Sequence, residues 1–291
     1  MSEKYEKYLE GVDFQFFSPS PILKDCIKHY VVFCKPSHLI SNQYFYPFPN
    51  SEIELYFHLN SSKVVIKKEN RGKFHNHFLL GLFDLSNQFL IKLHTEDKYY
   101  QCIVISINIC FINHIINIPL SRLKNNILDL SEIWGAKGTD LSELIYQENN
   151  ISEIIKLIDN FLVEVFCEKI DKKSIRINKI LKHCVEKEGQ LTVDELASET
   201  RLSYRTIYRI FTQELDICPK DYLKVLRFCK VCKLLKVYPV IDWSELVYSC
   251  GYFDQAHFIH EFKSIMNVSP KEFLNRIKGK FNLMHPLHFE S

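Results

Sequence analysis

Apolar and polar residues alternate in short runs over roughly the first 118 positions, which is the pattern of β-strands. In Phe45–Leu59 the apolar residues Ile53, Leu55, Phe57 and Leu59 recur at every second position. Four further runs rich in β-branched or aromatic residues follow, SKVVIKK, HFLLGLF, QFLIKLH and YYQCIVISI, and turn-forming residues separate them. Several short strands between turns predict a β-sandwich or a barrel.

The period of the pattern becomes helical near Pro119. Apolar residues recur with i, i+3, i+4, i+7 spacing over Ile151–Phe166, behind an Asn150 and a Glu153 placed as a capping box. We expect this apolar stripe to pack on its own domain, with a dimer interface as the alternative. The charged segment Glu168–Ser174 then marks a boundary. The sequence therefore predicts two domains, residues 1–170 and residues 171–282.

Three helices with short connections are predicted at the start of the second domain. Ile175–Glu188 is amphipathic and is followed by Gly189, a frequent helix terminator. Thr192-Val-Asp-Glu195 has the capping-box pattern and begins a helix over Val193–Glu199. Ser203 caps a third helix that runs to Leu215. Two short helices joined by a turn of three or four residues are typical of a helix-turn-helix.

The third helix has two different faces. Ile207, Ile210, Phe211 and Leu215 share an apolar face. Arg205, Tyr208 and Arg209 share another face at i, i+3, i+4 spacing. A core stripe opposite a basic and aromatic stripe is what a recognition helix requires, because one face packs and the other meets DNA.

The same pattern occurs a second time about fifty residues later. Equivalent positions carry the same or similar residues: Glu195-Leu196 and Glu245-Leu246, Leu202 and Tyr252, Phe211 and Phe262, Pro219 and Pro270, Tyr222 and Phe273. The offset changes from fifty to fifty-one, which indicates one inserted residue near Phe253. Gly251 is suited to the turn, and Ser269-Pro-Lys-Glu272 is again a helix start. An internal repeat that preserves core positions indicates two copies of one structural unit.

A single helix is predicted between the two copies, over Lys220–Lys236. At about 1.5 Å per residue it is roughly 25 Å long. We expect it to hold the two recognition helices about 34 Å apart, one turn of B-DNA. Four basic residues on it either contact phosphates or form a solvated face: Lys224, Arg227, Lys230 and Lys233.

The net charge of +2 conceals an asymmetry. Residues 172–280 hold 20 basic and 13 acidic residues, a balance of +7, and the rest of the chain holds 17 and 22, a balance of −5. A basic C-terminal region behind an acidic front favours a DNA-facing domain attached to one that does not face DNA. The N-terminus lacks an apolar signal core, and the apolar run 102–118 is interrupted by Asn and His, so neither a signal peptide nor a membrane span is predicted.

The segment GYFDQAHFIHEFKSIMNVSPKEF, residues 251–273, resembles the signature of AraC/XylS-type transcription regulators. LTVDELASETRLSYRTIYRIFTQELDICPKDYLKVLR resembles the first half of the same DNA-binding unit, and the likeness covers residues 175–281. The chain has Asp216 and Asn267 where that family has Gly, and Cys218 where it has Ser. Asp and Asn tolerate left-handed backbone, whereas losing the Ser cap should weaken one helix start by about 1 kcal/mol.

The resemblance implies which residues face the bases. In the first recognition helix these are Arg205, Tyr208 and Arg209; in the second they are Gln255, Ala256, Ile259 and His260. Arginine reads guanine and Gln reads adenine, whereas Ala256 and Ile259 can touch only thymine methyl groups. His260 stands where the family often has Arg, so we expect the first helix to dominate specificity. Lys263 is expected to contact a phosphate.

The front domain resembles the N-terminal β-domain of the same family through the strand near Pro49–Leu55 and the stretch IPLSRLKNNILDLSEIWGAKGTDLSELIYQ. This likeness implies that the front domain senses an effector, dimerises, or does both, and that its fold is a cupin-like barrel followed by helices. The expected fold class is thus α+β: a cupin-like β-barrel or sandwich with helices, then an all-α double helix-turn-helix domain.

We consider the cysteines and histidines of the chain as possible metal ligands. Cys229-Lys-Val-Cys232 lies within a predicted helix and has no second pair, so we interpret the ten cysteines as reduced thiols. His75 and His77, with His58 or His94, would make a three-histidine site if both lay on one strand; surface histidines are the interpretation we favour. The sequence has no phosphate-binding loop and no hydrolase or zinc-protease motif. We expect no enzyme activity, no metal and no cofactor.

The leading hypothesis is a sequence-specific, cytoplasmic transcription regulator, an activator that responds to a small molecule. Its expected partners are double-stranded DNA, a small-molecule effector, RNA polymerase and a second copy of the chain. The alternatives are an effector-independent or protein-responsive regulator whose front domain only dimerises, and a metal-dependent cupin enzyme fused to DNA-binding helices.

Overall fold

The structure is a computed structural model that describes residues 13–40, 44–45, 52–68, 71–75, 77–80, 90–108, 111, 115–116, 127–167, 172–237, 242–266 and 268–277. Its front region is mostly β-structure, as predicted. The strands in chain order are β1 (Asp13–Phe17), β2 (Ile27–Pro36), β3 (Tyr44–Phe45), β4 (Glu52–His58), β5 (Lys63–Lys68), β6 (Arg71–His75), β7 (His77–Leu80), β8 (Leu90–His94), β9 (Tyr99–Asn108) and β10 (Ile127–Asp129).

These strands form two sheets. One has six strands in the order β1-β2-β9-β4-β7-β10, and the other has four in the order β3-β8-β5-β6. All described pairings are antiparallel. Among the described strands neither sheet closes on itself: β1 and β10 are the edge strands of the larger sheet, and β3 and β6 are those of the smaller. The mixed two-domain fold is confirmed, but the predicted cupin-like barrel is not.

The larger sheet buries both of its faces. The predicted alternation in β4 is confirmed: Ile53, Leu55 and Phe57 point to one face and belong to the largest apolar core. Tyr56 points to the other face, where a smaller cluster also contains Leu93 of the four-stranded sheet. Successive side chains of a strand point to opposite sides, so one face packs on helices and the other on the second sheet.

Three helices follow the sheets and cover the first of these faces: α1 (Leu130–Trp134), α2 (Ala136–Gln147) and α3 (Ile151–Cys167). The predicted apolar stripe of α3 is buried in the same core as the strands. Asn150 caps α3 by accepting from the backbone N–H of Ser152 at 2.9 Å. The expected capping-box partner Glu153 instead pairs with Lys156 at 2.6 Å.

The C-terminal region is helical in every described element, as predicted. Its helices are α4 (Lys172–Glu186), α5 (Val193–Glu199), α6 (Tyr204–Glu214), α7 (Pro219–Val237), α8 (Trp243–Ser249), α9 (Gln255–Met266) and α10 (Pro270–Ile277). The Thr192–Glu195 capping box and the Ser203 cap are both present. Asp216 has φ +47°, so its left-handed backbone is confirmed; Asn267 lies outside the described residues.

Two apolar cores divide this region. The first runs without interruption from Leu23 of the front region to Leu226 of α7 and includes the cores of α5 and α6. The second begins at Phe228 of the same helix and holds α8, α9 and α10 together. The helix α7 therefore contributes to both cores. The boundary predicted at residue 170 falls in 168–171, outside the described residues, and stays a prediction.

The structure also bears on the state of the cysteines and on membrane-spanning helices. The nine described cysteines are all free, and most of them are at least partly buried. None of the described helices combines the length and the hydropathy that a bilayer crossing requires.

Candidate nucleic-acid interface

The turns α5-α6 and α8-α9 have the same hydrogen-bond pattern at an offset of fifty residues. In the first, the N–H groups of residues 200, 201 and 202 donate to the carbonyls of residues 196, 198 and 197; in the second, those of 250, 251 and 252 donate to 246, 248 and 247. Arg201 and Gly251 both have left-handed backbone, with φ +55° and +72°. The predicted repeat is thus present in the backbone itself.

The insertion follows this turn. The first unit has four residues between its helices, 200–203, and the second has five, 250–254. Ser203 and Asp254 then play equivalent parts, since each accepts from the backbone N–H three residues later. The repeat-related aromatic pairs Phe211 and Phe262, and Tyr222 and Phe273, are all buried. The register that we inferred from the sequence is confirmed.

Helix α6 exposes the predicted reading face. Ile207, Ile210 and Phe211 are buried, and Arg205 and Arg209 are exposed on the opposite side. Tyr208 is 40% exposed, and its hydroxyl accepts a hydrogen bond from the Cys218 thiol at 3.8 Å. That contact is the main cause of a raised Tyr208 pKa. Both arginines are therefore accessible, and Tyr208 contacts Cys218, the residue before α7.

Helix α9 exposes most of its predicted face. Gln255, Ala256, His260 and Lys263 are exposed. Ile259 is only half-exposed, because part of its side chain packs against the second core. The two predicted reading faces lie on equivalent helices of the two units, but a base contact of any of these residues stays a prediction. The expected separation of about 34 Å also stays a prediction.

Two exposed aromatic residues escaped the sequence prediction. Tyr204 is 41% exposed and stacks on Tyr208, with ring centroids 6.1 Å apart. Its position one helical turn before Tyr208 was the available signal. Phe253, in the insertion before α9, is 92% exposed. Phe253 therefore places an exposed phenyl ring next to the start of α9.

Among the described basic residues of α7, Arg227 differs from both predicted roles. Arg227 is 14% exposed and pairs with Glu261 of α9, so it is neither a phosphate contact nor part of a solvated face. Lys230 pairs with Glu188 at 2.5 Å, and Lys224 pairs with Asp221 at 3.6 Å. Arg227 and Lys230 therefore join α7 to other segments, whereas Lys224 pairs within its own helix. The side chain of Lys233 lies outside the described residues.

Polar side chains line the face of the larger sheet that meets the smaller one. Glu54 and His58 of β4, Lys35 of β2 and Ser106 of β9 are buried. The Tyr56 hydroxyl donates to Glu54 Oε2 at 2.6 Å. Lys35, on the same side of β2 as Phe33 of the smaller cluster, is 5% exposed, and burial lowers its pKa to about 8.

The histidine prediction was wrong in its geometry. His75 ends β6 in the smaller sheet and His77 begins β7 in the larger one, so they do not share a strand face. His58 is a buried residue rather than a surface one, with its ring centroid 5.6 Å from that of Tyr100. Within the described parts of the chain, no three His, Cys, Asp or Glu side chains are grouped as metal ligands.

Residues 196–276 match a family model described as a helix-turn-helix domain. Residues from this chain are also similar to the HTH-type transcriptional activator RhaS of several Escherichia coli strains, for example strains E24377A and HS, with 28% identity over 106 residues. The match covers 36% of this chain and 38% of RhaS. The chain thus matches less than half the length of these curated relatives.

Two solved structures align with this chain at TM-scores below 0.5. ToxT from Vibrio cholerae O395 aligns over 93% of this chain and 99% of its own, with 15% identity and a TM-score of 0.44. The C-terminal domain of AraT, a response regulator from Geobacillus stearothermophilus, aligns over 36% of this chain and 88% of its own, with 25% identity and a TM-score of 0.34.

Proposed function

Because its C-terminal region is an AraC-type helix-turn-helix domain, we propose that this protein is a transcription regulator that binds specific sequences in double-stranded DNA. The observation that carries the proposal is the duplicated unit, in which α6 and α9 each present an exposed polar face at the same place in the repeat. A regulator of this kind acts where bacterial DNA is, in the cytoplasm.

Base reading is assigned mainly to α6. Arg205 and Arg209 are exposed and can donate two hydrogen bonds to guanine O6 and N7. Tyr208, between them on the helix face, offers a hydroxyl and a ring edge. In α9, Gln255 suits adenine, whereas Ala256 and Ile259 offer only apolar contacts. The first unit therefore contributes most of the sequence discrimination.

Lys263 and His260 extend the interface of α9. Lys263 is exposed in the last turn of that helix and is assigned to a phosphate. His260 is exposed, but its ring has two nitrogens in place of the five fixed donors of a guanidinium, so it binds an anionic backbone less strongly than an arginine would. This difference between the units is a second reason to expect a dominant first half-site.

The front region is proposed to sense a small molecule and to promote activation. The support is the buried polar and aromatic layer between its two sheets, where Lys35, Glu54, His58 and Tyr56 lie close to apolar side chains. A few polar groups in an apolar surrounding are typical of ligand sites. A ligand with an acidic group would compensate the desolvated ammonium of Lys35.

An activator of this type would also contact RNA polymerase, and a second copy of the chain is a further proposed partner. A front domain that only dimerises is the alternative; its purely structural interior would need no such polar layer. The metal-dependent enzyme is the less favoured alternative, because the helix-turn-helix match of residues 196–276 supports regulation rather than catalysis.

The DNA-binding proposal is tested by incubating the full chain with random-sequence duplexes and sequencing those it retains. We expect a motif of two parts about 10 base pairs apart, with the stronger part read by α6. If the retained duplexes show no enriched sequence, the proposal of sequence-specific binding is wrong. The sensing proposal is tested by thermal unfolding in panels of small carboxylic acids, sugars and amines, because a ligand that binds the folded state raises its melting temperature.

A further inference from the structure

Arg227, in the middle of α7, is only 14% exposed and lies between the two helix-turn-helix units. Its Nε and Nη2 donate to Oε1 and Oε2 of Glu261 in α9, at 3.2 and 2.9 Å. Its Nη1 donates at 2.8 Å to the carbonyl oxygen of Gly189, just after α4. One guanidinium group therefore joins the segment that leads into the first unit to the recognition helix of the second.

The hydrogen bonds of the Arg227 guanidinium fix the orientation of the groups that it joins. Glu261 is 3% exposed, so its carboxylate has exchanged water for the guanidinium. The guanidinium carbon also lies 5.9 Å from the ring centroid of Tyr252, in the turn of the second unit. A planar group with hydrogen bonds in three directions fixes angles as well as distances, which a single ammonium cannot do.

Two further contacts limit movement around Arg227. The Nζ of Lys230 lies 2.5 Å from Oε2 of Glu188, which ties the next turn of α7 to the segment that follows α4. A methyl group built on Gly251 would lie 3.0 Å from the Gln190 side chain. The turn of the second unit therefore lies directly against the segment that precedes α5. The two units touch each other and are not joined by α7 alone.

We propose that Arg227 is a positioning residue that fixes the arrangement of the two units and so restricts the protein to DNA sites with one spacing between the half-sites. This inference rests on the proposed DNA binding. Two linked binding modules gain full avidity only when both can engage at once. A rigid junction allows this at one spacing, whereas a loose junction allows it at several.

The test uses duplexes that carry the two half-motifs recovered with the wild-type protein, separated by the natural spacer or by a spacer altered by half a helical turn. We expect the altered spacer to weaken wild-type binding by about 100-fold, because the second half-site then lies on the opposite side of the duplex. A duplex with the first half-motif alone measures whether the first unit is intact.

Two variants change the junction. Arg227→Met with Glu261→Met removes both charges together, which is often tolerated in a protein interior, whereas removing one would leave a buried charge without its partner. Arg227→Lys keeps the positive charge but loses the planar fork. Lys220→Met, at an exposed position of the same helix, is the matched control.

We expect the spacing penalty to fall to about 5-fold in the double variant and to an intermediate value in Arg227→Lys, with binding to the single half-site unchanged. Lys220→Met should keep the wild-type penalty. A folded variant of either kind that retains the 100-fold penalty would overturn the inference, as would a wild-type protein that is insensitive to spacing. If no motif is recovered at all, the proposed function itself fails.

Discussion

The hydroxyl of Tyr30, in β2, donates a 2.7 Å hydrogen bond to Oδ1 of Asp159, in α3. The same carboxylate oxygen accepts from the backbone N–H of Ser20 at 2.9 Å. Tyr30 is completely buried, and its pKa is raised well above the ordinary value, first by burial and then by Asp159. This contact ties the larger sheet to the helix that covers it.

Tyr30→Phe should therefore destabilise the protein by about 1–2 kcal/mol, because it removes the hydroxyl and leaves Asp159 with one donor fewer. Urea unfolding at neutral pH measures the change. Tyr146→Phe is the control, since that ring is 82% exposed in α2 and its hydroxyl should contribute little. Equal midpoints for the Tyr30 variant and the wild type would show that the bond contributes nothing to the stability of the front region.

The C-terminal helices were predictable because the signals that mark them are local in the sequence and occur in both copies of the repeat. Capping residues mark the starts of α5 and α6, and the offset of fifty and then fifty-one placed the insertion near Phe253, where the structure has it. The burial of Phe211 and Phe262 follows from helical spacing alone. Local signals of this kind need no knowledge of distant contacts.

The front region was predicted only at the level of its strands. Whether a sheet closes depends on which distant strands pair, and the pairing of β2 with β9 joins residues about seventy positions apart. The histidine error has a similar origin: His75 ends a strand of the smaller sheet and His77 begins a strand of the larger one, and alternation cannot reveal this. Arg227 was misplaced because its partner Glu261 is thirty-four residues away.

Lys35→Met should stabilise the protein at neutral pH. Burial lowers the pKa of Lys35 from 10.5 to about 8, so below pH 8 the folded state holds a desolvated ammonium that the unfolded state hydrates. Between pH 8 and 10.5 the unfolded chain retains a proton that the folded chain has released, so the stability contributed at this site rises with pH. The gain from the substitution is therefore about 1–3 kcal/mol at pH 7 and shrinks towards pH 10.

Unfolding by urea at pH 7 and at pH 9.5 measures this gain. Lys156→Met is the control, because its ammonium lies on the exposed surface of α3 and forms an ion pair with Glu153. A gain that is the same at both pH values would show that the Lys35 ammonium is not the cause.

Two glycines of the C-terminal domain should differ in their tolerance of alanine. Both have φ +72°, so each substitution costs about 1 kcal/mol from the backbone. At Gly251 the new Cβ would meet only the flexible Gln190 side chain at 3.0 Å, whereas at Gly189 it would lie 2.3 Å from the Leu223 carbonyl oxygen. We expect about 1 kcal/mol for Gly251→Ala and about 3 kcal/mol or more for Gly189→Ala, measured by urea unfolding. Equal losses would mean that α4 can move away from α7 at no cost.

Lys263→Ala should weaken binding to every duplex by a similar factor, because a phosphate contact carries no sequence information. The logarithm of affinity falls with the logarithm of salt concentration, and the slope should decrease in magnitude by about one when one phosphate contact is lost. Anisotropy titrations across a salt series measure the slope. Lys182→Ala, an exposed position of α4, should leave it unchanged. An unaltered slope for Lys263→Ala would remove that residue from the interface.

Arg209→Ala tests whether α6 reads bases. Arg209 is exposed one helical turn after Arg205 and opposite the buried Ile207 and Phe211, so the face that carries it is free to enter a major groove. A bidentate arginine–guanine contact discriminates against other bases by about 1–3 kcal/mol, so the variant should lose that much affinity for its selected site and relax one base position. Repeating the duplex selection with the variant identifies the position. Arg176→Ala, which removes the same charge from an exposed part of α4, controls for long-range attraction. If the Arg209 variant loses the same affinity on random duplexes as on the selected site, the guanidinium contacts a phosphate, and the discrimination must come from Arg205 or Tyr208.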